Sequence, residues 1–99
     1  MQFIVTGRDG TDANALSRRM AAREAHMARC KAAHEAGNLL YAVAMLNDAG
    51  NMCGSILVVD FPDRAALDAW LAEEPYVTGN VWESVDVREG KVPPLFQQV

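Results

Sequence analysis

Polar and apolar positions divide the chain into strand-like and helix-like stretches separated by turn residues. Gln2 to Gly7 reads Gln-Phe-Ile-Val-Thr-Gly and predicts a first strand. Asp9-Gly10-Thr11-Asp12 is a polar loop, with Asp12 or Asn14 placed to cap the helix that follows. From Ala13 to Ala36 there is no Pro or Gly, and Ala, Arg, Met and Glu dominate, so propensity and periodicity agree on a long helix that Gly37 would end. Leu39–Leu46 and Gly54–Phe61 are strands joined by the turn cluster Asn47-Asp48-Ala49-Gly50-Asn51, which predicts an antiparallel hairpin. Asp63 caps a short helix through about Glu73, with Ala66, Leu67 and Trp70 on its inner face, and Pro75 stops it. Tyr76 to Asn80 reads as a loop, Val81 to Arg88 as a last strand carrying Trp82 and Val85, and Gly90 to Val99 as a Pro-containing tail.

The order β-α-β-β-α-β predicts a ferredoxin-like α+β fold, a four-stranded antiparallel sheet with two helices on one face. One domain spanning residues 1–99 is expected. The strands are apolar at most positions on both faces, with Ile4, Val5, Leu40, Val43, Met45 and Val58 among them, and two helices cover only one face. The economical cover for the other is a second copy, giving a homodimer of the dimeric α/β-barrel kind. The segment Pro93-Pro94-Leu95-Phe96 is apolar enough to cross that partner, or to pack on its own subunit.

A helix advances about 100° per residue. That spacing places Leu16, Met20, Met27 and Cys30 on one arc of the first helix, with Arg23 inside it, His26 at its edge and His34 at its centre. A helix needing only packing would carry Leu or Ala there, because burying an unpaired guanidinium costs several kcal/mol. Those groups therefore face a cavity or hold a polar network.

Charge narrows the partners. Thirteen carboxylates against nine Lys and Arg give a net charge of −4, which repels phosphate backbones. Arg18, Arg19, Arg23 and Arg29 point in more than one direction and form no single basic patch, so no nucleic acid is expected. No apolar run approaches the ~20 residues of a membrane span, and Met1 leads straight into a strand without a basic leader, so no membrane partner and a cytoplasmic location are expected. Two cysteines make no disulfide framework. Cys30 reads as a small buried hydrophobe, or as a nucleophile with His26 and His34 one helical turn to either side.

Four strings carry a resemblance: Arg23-Glu24-Ala25-His26, His34-Glu35-Ala36-Gly37-Asn38-Leu39, Gly54-Ser55 and Glu74-Pro75-Tyr76. In that order, with those elements between them, the chain resembles the YCII-related (YciI-like) family of small dimeric ferredoxin-like proteins. The resemblance implies a pocket between sheet and helices, with His26 and Glu74 as the catalytic or ligand-binding pair. It also implies kinship with relatives that act as dehydrochlorinases on chlorinated hydroxyhydroquinones. The chain departs from the family pattern at Glu74, where an aspartate is usual, and at Asn38, where an arginine often stands.

The residues themselves allow this chemistry. A histidine titrates nearest neutrality and can take and return a proton. A carboxylate beside it would orient the ring, and Pro75 would hold Glu74 on a stiff turn. Arg23 is an anion clamp or half of a structural salt bridge. Ser55, Tyr76 and His34 are candidate ligand contacts, with a close backbone approach, a core aromatic and a core or interface histidine as their plainer roles. His26, Cys30 and His34 share one helix face without a second ligand cluster, so no metal is expected. Gly7-Arg8-Asp9-Gly10 is too short and acidic for a phosphate loop, so no cofactor is expected either. The function this favours is a small cofactor-independent enzyme doing elimination, isomerisation or lactone-type chemistry on an aromatic or enol-like metabolite. The alternatives are a non-catalytic binding or accessory module and a purely structural dimer.

Overall fold

In the computed structural model, which describes residues 1–97, the sheet is antiparallel at every neighbouring pair and runs in the order β2-β3-β1-β4. Its strands are β1 (Gln2–Asp9), β2 (Leu39–Leu46), β3 (Met52–Asp60) and β4 (Trp82–Gly90). Helices α1 (Ala15–Glu35) and α2 (Arg64–Ala72) cover one face, together with a single turn α3 (Pro75–Thr78). This is the ferredoxin-like βαββαβ arrangement that the element order predicts.

The helices begin and end for identifiable reasons. Asp63 caps α2 by accepting from the Ala66 N–H at 2.8 Å. Gly37, at φ +82°, supplies the left-handed residue after α1. Asn14 stands at the start of α1 without a side-chain cap, while Asp12 engages the Asn14 N–H and both terminal nitrogens of Arg18. The segment after Pro75 is a helical turn rather than the expected loop. Proline suits the first helical position because its missing N–H would be unpaired there anyway, and the Glu74 side chain accepts from the Tyr76 N–H.

The core forms where the inward residues of β1 and β3 (Phe3, Val5, Leu57, Val59) meet Leu67 and Leu71 of α2. Gly7 continues the inward series of β1, and the Trp82 ring lies on it so closely that a Cβ would fall 2.3 Å from the indole. Asp9 is the next inward residue, and it is buried.

Helix α1 turns a different face inward from the one its methionines suggest. Ala15, Arg19, His26, Cys30 and Ala33 are buried, whereas Leu16, Met20, Arg23, Met27 and His34 are exposed. The inward stripe is therefore displaced by about one residue from the expected arc. The small side chains Ala15 and Ala33 let the helix approach the sheet closely, and bulkier residues flank the contact.

Among the described residues no helix or second sheet lies over the sheet's other face. Ile4 pairs with Val58, which pairs with Tyr41, while Thr6, Ile56 and Val43 form the next row. Ile4, Tyr41 and Val43 are exposed, and β4 adds Asp86 and Arg88 to those rows. The chain after β4 turns beside its own β1, where the Val92 N–H donates to Gln2 Oε1 at 2.6 Å. It borders a groove of about 670 Å³ over Ile4, Tyr41 and Val58. The last two tail residues, 98 and 99, lie outside the described residues.

Candidate functional site

A stack of side chains joins α1 to α3. Tyr76 lies parallel to the His26 imidazole, with ring centroids 3.8 Å apart and planes 12° from parallel. The Arg19 guanidinium carbon stands 4.7 Å from the centre of the same Tyr76 ring. Arg19 and His26 are two turns apart on α1, about 10 Å along its axis, which leaves the spacing for one aromatic ring between them. Trp82 meets Tyr76 and His26 edge-on at 5.5 and 6.2 Å. Burial pushes the Tyr76 hydroxyl above its ordinary pKa.

Behind His26 stands Glu74, fully buried. Its Oε1 is hydrogen-bonded to His26 Nδ1 and also accepts from the Tyr76 N–H at 3.3 Å. Its Oε2 accepts from Arg29 Nη1 at 3.0 Å. Arg29 lies over the Trp70 ring and donates to the Trp70 carbonyl at 2.9 Å, so the end of α2 fixes the arginine that fixes the carboxylate. A carboxylate only accepts, so the Nδ1 facing it carries a proton. The exchangeable position of the ring is then Nε2.

Cys30 leaves Nε2 open. Its sulfur is 3.4 Å from Nε2 and 3.9 Å from Nδ1. A thiol aligned with the Nε2 lone pair would be much farther from Nδ1, so the sulfur rests on the side of the ring that Tyr76 leaves free. Burial, reinforced by the nearby Glu74 charge, pushes the thiol up to about 11.

A second buried network lies along the same helix. Arg19 Nη1 reaches both oxygens of Asp9 at 2.9 and 3.2 Å, and Nη2 donates to Ser55 Oγ at 2.8 Å. The Arg19 Nε and the Trp82 Nε1 are buried without a hydrogen-bond partner among the described residues.

Both networks border a cavity of about 220 Å³ between α1 and the β2–β3 side of the sheet. Arg19, Arg23, His26, Cys30, Ser55 and Tyr76 form its polar wall. Met27, Ala42, Ala44, Met52 and Leu57 form its apolar wall. The larger groove under the tail is lined mainly by apolar groups, and among the described residues Lys91 is its one charged side chain and no acid/base pair lines it. The smaller cavity is therefore the candidate site.

Of the residues picked out by sequence, His26, Arg23, Ser55 and Tyr76 come together on this wall, with Glu74 directly behind His26. His34 does not join them. It is exposed, and its Nδ1 bonds the Leu39 carbonyl at 2.8 Å, tying the end of α1 to the start of β2. Arg23 is at the cavity but exposed rather than buried, with no ion pair among the described residues. Sequence reasoning passed over Arg19, Asp9 and Arg29. Asp9 had a signal: it shares the inward parity of Phe3, Val5 and Gly7, where an acid needs a partner. Among the described residues no group of His, Cys, Asp and Glu is arranged to hold a metal ion.

A helix-covered antiparallel sheet bordering a small cavity, with His26 on its wall and the buried Glu74 behind it, defines a ferredoxin-like α+β domain with room for a small molecule. A model of the YCII-related domain matches residues 1–91, and the chain belongs to the YCII-related family. It is 34% identical to protein YciI of Escherichia coli O6:H1, with 92% of this chain and 97% of that protein covered. An uncharacterised protein of Haemophilus influenzae is 30% identical over the same shares. Among solved structures, the fold is similar to 5-chloro-2-hydroxyhydroquinone dehydrochlorinase from Burkholderia phenoliruptrix in complex with 2,5-dihydroxybenzoquinone. That match has a TM-score of 0.79 and 18% identity, covering 92% of this chain and 94% of that one. A dimeric ferredoxin-like protein of unknown function from Jannaschia sp. matches with a TM-score of 0.52 at 18% identity, covering 92% and 98%.

Proposed function

We propose that the protein is a cofactor-independent acid/base enzyme acting on a small aromatic or enol-like molecule in the cavity beside His26. The observation that carries this reading is the division of labour on one imidazole. Nδ1 is bonded to a fully buried carboxylate, while Nε2 has no oxygen or nitrogen partner among the described residues and His26 belongs to a cavity wall. Nε2 takes a proton from an acidic carbon or oxygen of the substrate and returns it to the product or the leaving group. Elimination, isomerisation and lactone chemistry share that transfer. Glu74 orients the ring and stabilises the imidazolium formed in passing, and Arg29 keeps Glu74 in place. The dehydrochlorinase that shares the fold supports a small-molecule substrate of this type.

A homodimer is part of the same proposal. The exposed sheet face carrying Ile4, Tyr41 and Val43 needs a cover, and the similar Jannaschia protein is described as dimeric. The second copy lays its own outer sheet face on this one and leaves one cavity in each subunit.

The test uses 2,5-dihydroxybenzoquinone as the probe, with exchange of its ring hydrogens for deuterium in D₂O followed by proton NMR. The protein is expected to accelerate exchange, and His26→Gln to remove about a hundred-fold or more of that acceleration. Equal acceleration by both proteins would overturn the role of His26. Saturable binding without acceleration would favour the non-catalytic binding module instead.

A further inference from the structure

We infer that the cavity takes a small organic anion with an apolar body, its ionised oxygen held by Ser55, Arg19 and Arg23. This names the substrate class of the site proposed above and rests on that reading for what happens beside His26.

The first ground is where the acids stand. The chain has thirteen Asp and Glu against nine Lys and Arg, yet no carboxylate among the described residues lines this cavity. Its charged and titratable wall is Arg19, Arg23, His26, Cys30 and Tyr76. The two carboxylates of the site, Asp9 and Glu74, sit behind Arg19 and His26 and hold them from the far side. Arg19 and His26 therefore each stand between an acid and the cavity.

The second ground is a surplus of donors. Ser55 Oγ already accepts from Arg19 Nη2, so its own O–H points elsewhere, and it finds no acceptor among the described residues. Arg19, which is 3% exposed, has its two terminal nitrogens on Asp9 and Ser55, and its Nε is shielded from the cavity. Arg23 has no ion pair among the described residues. Buried polar groups are rarely left unpaired, so the Ser55 hydroxyl is most simply completed by a ligand's acceptor oxygen, with the Arg19 and Arg23 charges beside it. Charge-assisted bonds of this kind are the stronger ones.

The third ground is the remaining surface. Met27, Ala42, Ala44, Met52 and Leu57 offer no polar side-chain group to a second charge, and about 220 Å³ suits a ligand of single-ring size. An ionised oxygen on an apolar skeleton matches both walls. A carboxylate and a phenolate or enolate share that chemistry.

The experiment compares matched probes by isothermal titration or NMR shifts. Benzoate is set against neutral benzamide, and 4-nitrophenolate against nitrobenzene. At least one anion is expected to bind about ten-fold or more tightly than its neutral counterpart, and the better anion identifies the source. Arg23→Gln is expected to weaken the anion about ten-fold and leave the neutral probe unchanged, whereas Arg64→Gln on the exposed surface of α2 changes neither. Ser55→Ala is expected to lower the same preference in a protein that still unfolds cooperatively. Neutral probes that bind as well as the anions, or no anion binding at about 10 mM, would overturn the inference. Deuterium exchange measured on the same samples separates the two ideas. Exchange without charge preference sinks this inference alone, while charge preference without exchange leaves it standing and sinks the acid/base role.

Discussion

At position 30 a thiol lies against the imidazole of His26, one turn along the same helix, and the sequence leaves open whether it packs or attacks. The distances favour packing, since the sulfur is nearly as close to Nδ1 as to Nε2 and so is not aligned as the partner of either nitrogen. Desolvation acts in the same direction. With its pKa pushed up to about 11, the thiol is ionised in only about one molecule in a thousand at pH 8. Iodoacetamide at pH 8 is therefore expected to label Cys53 and to leave Cys30 unmodified until the protein is unfolded, as read by mass spectrometry of the two peptides. Labelling of Cys30 as fast as Cys53 would return it to the list of nucleophiles. The sign of the shift has a second consequence. A group that stays protonated longer in the folded state stabilises the fold fully below its unfolded pKa and less as pH rises through the folded value. Glu74 is the other telling position. Its added methylene relative to the family's usual aspartate does not break the pair, because Arg29 and the Tyr76 N–H hold the longer side chain against His26. That contact between positions 26 and 74 could be anticipated from family layout, not from composition or periodicity, since neither carries information about pairs so far apart in the chain.

Helix α1 marks where legibility ends at the level of the element. Its existence and its Gly37 stop were readable, because a long stretch without Pro or Gly has one good answer. Its rotation was not. The methionines and Leu16 suggest one inward arc, while the sheet accepts the neighbouring stripe of Ala15, Arg19, His26, Cys30 and Ala33. Two arcs one residue apart differ by about 100°, and in an alanine-rich helix hydrophobicity scarcely separates them. Close approach to the sheet does, but that is a property of the packed pair rather than of the helix. The exposed Met20 and the buried Ala33 make the difference measurable. Met20→Gln is expected to change stability by less than about 0.5 kcal/mol. Ala33→Leu should cost about 1–3 kcal/mol by overpacking, with both read from urea unfolding midpoints. The reverse order would restore the methionine arc as the inner face. For α3 the missing information was different. A Glu-Pro pair reads as a helix stop, but the same two residues can begin a new turn when the glutamate is held by a histidine and an arginine elsewhere in the fold.

For the whole molecule, both-face hydrophobicity of the strands is the feature of the sequence with the largest consequence. Ile4, Val58 and Tyr41 form one cross-sheet row and Thr6, Ile56 and Val43 the next, and no helix among the described residues lies over them. A face left in this state is an interaction surface or an aggregation liability, and a stable interface needs about 800 Å² from each partner. The groove of about 670 Å³ beside the tail gives a second copy a concave place to seat side chains. Light scattering at micromolar concentration is expected to return about twice the 10.8 kDa chain mass. Tyr41 is 71% exposed in the single chain, so Tyr41→Asp removes no intrachain packing of consequence but places a charge on the proposed interface. The variant is expected to be a folded monomer, with a thermal midpoint that no longer rises with protein concentration as that of a dimer does. A wild-type protein that stays monomeric at micromolar concentration, or a Tyr41→Asp variant that keeps the doubled mass, would sink the face-to-face dimer. The cavity beside His26 lies on the helix side of the sheet, so its ligand binding should survive in the monomeric variant.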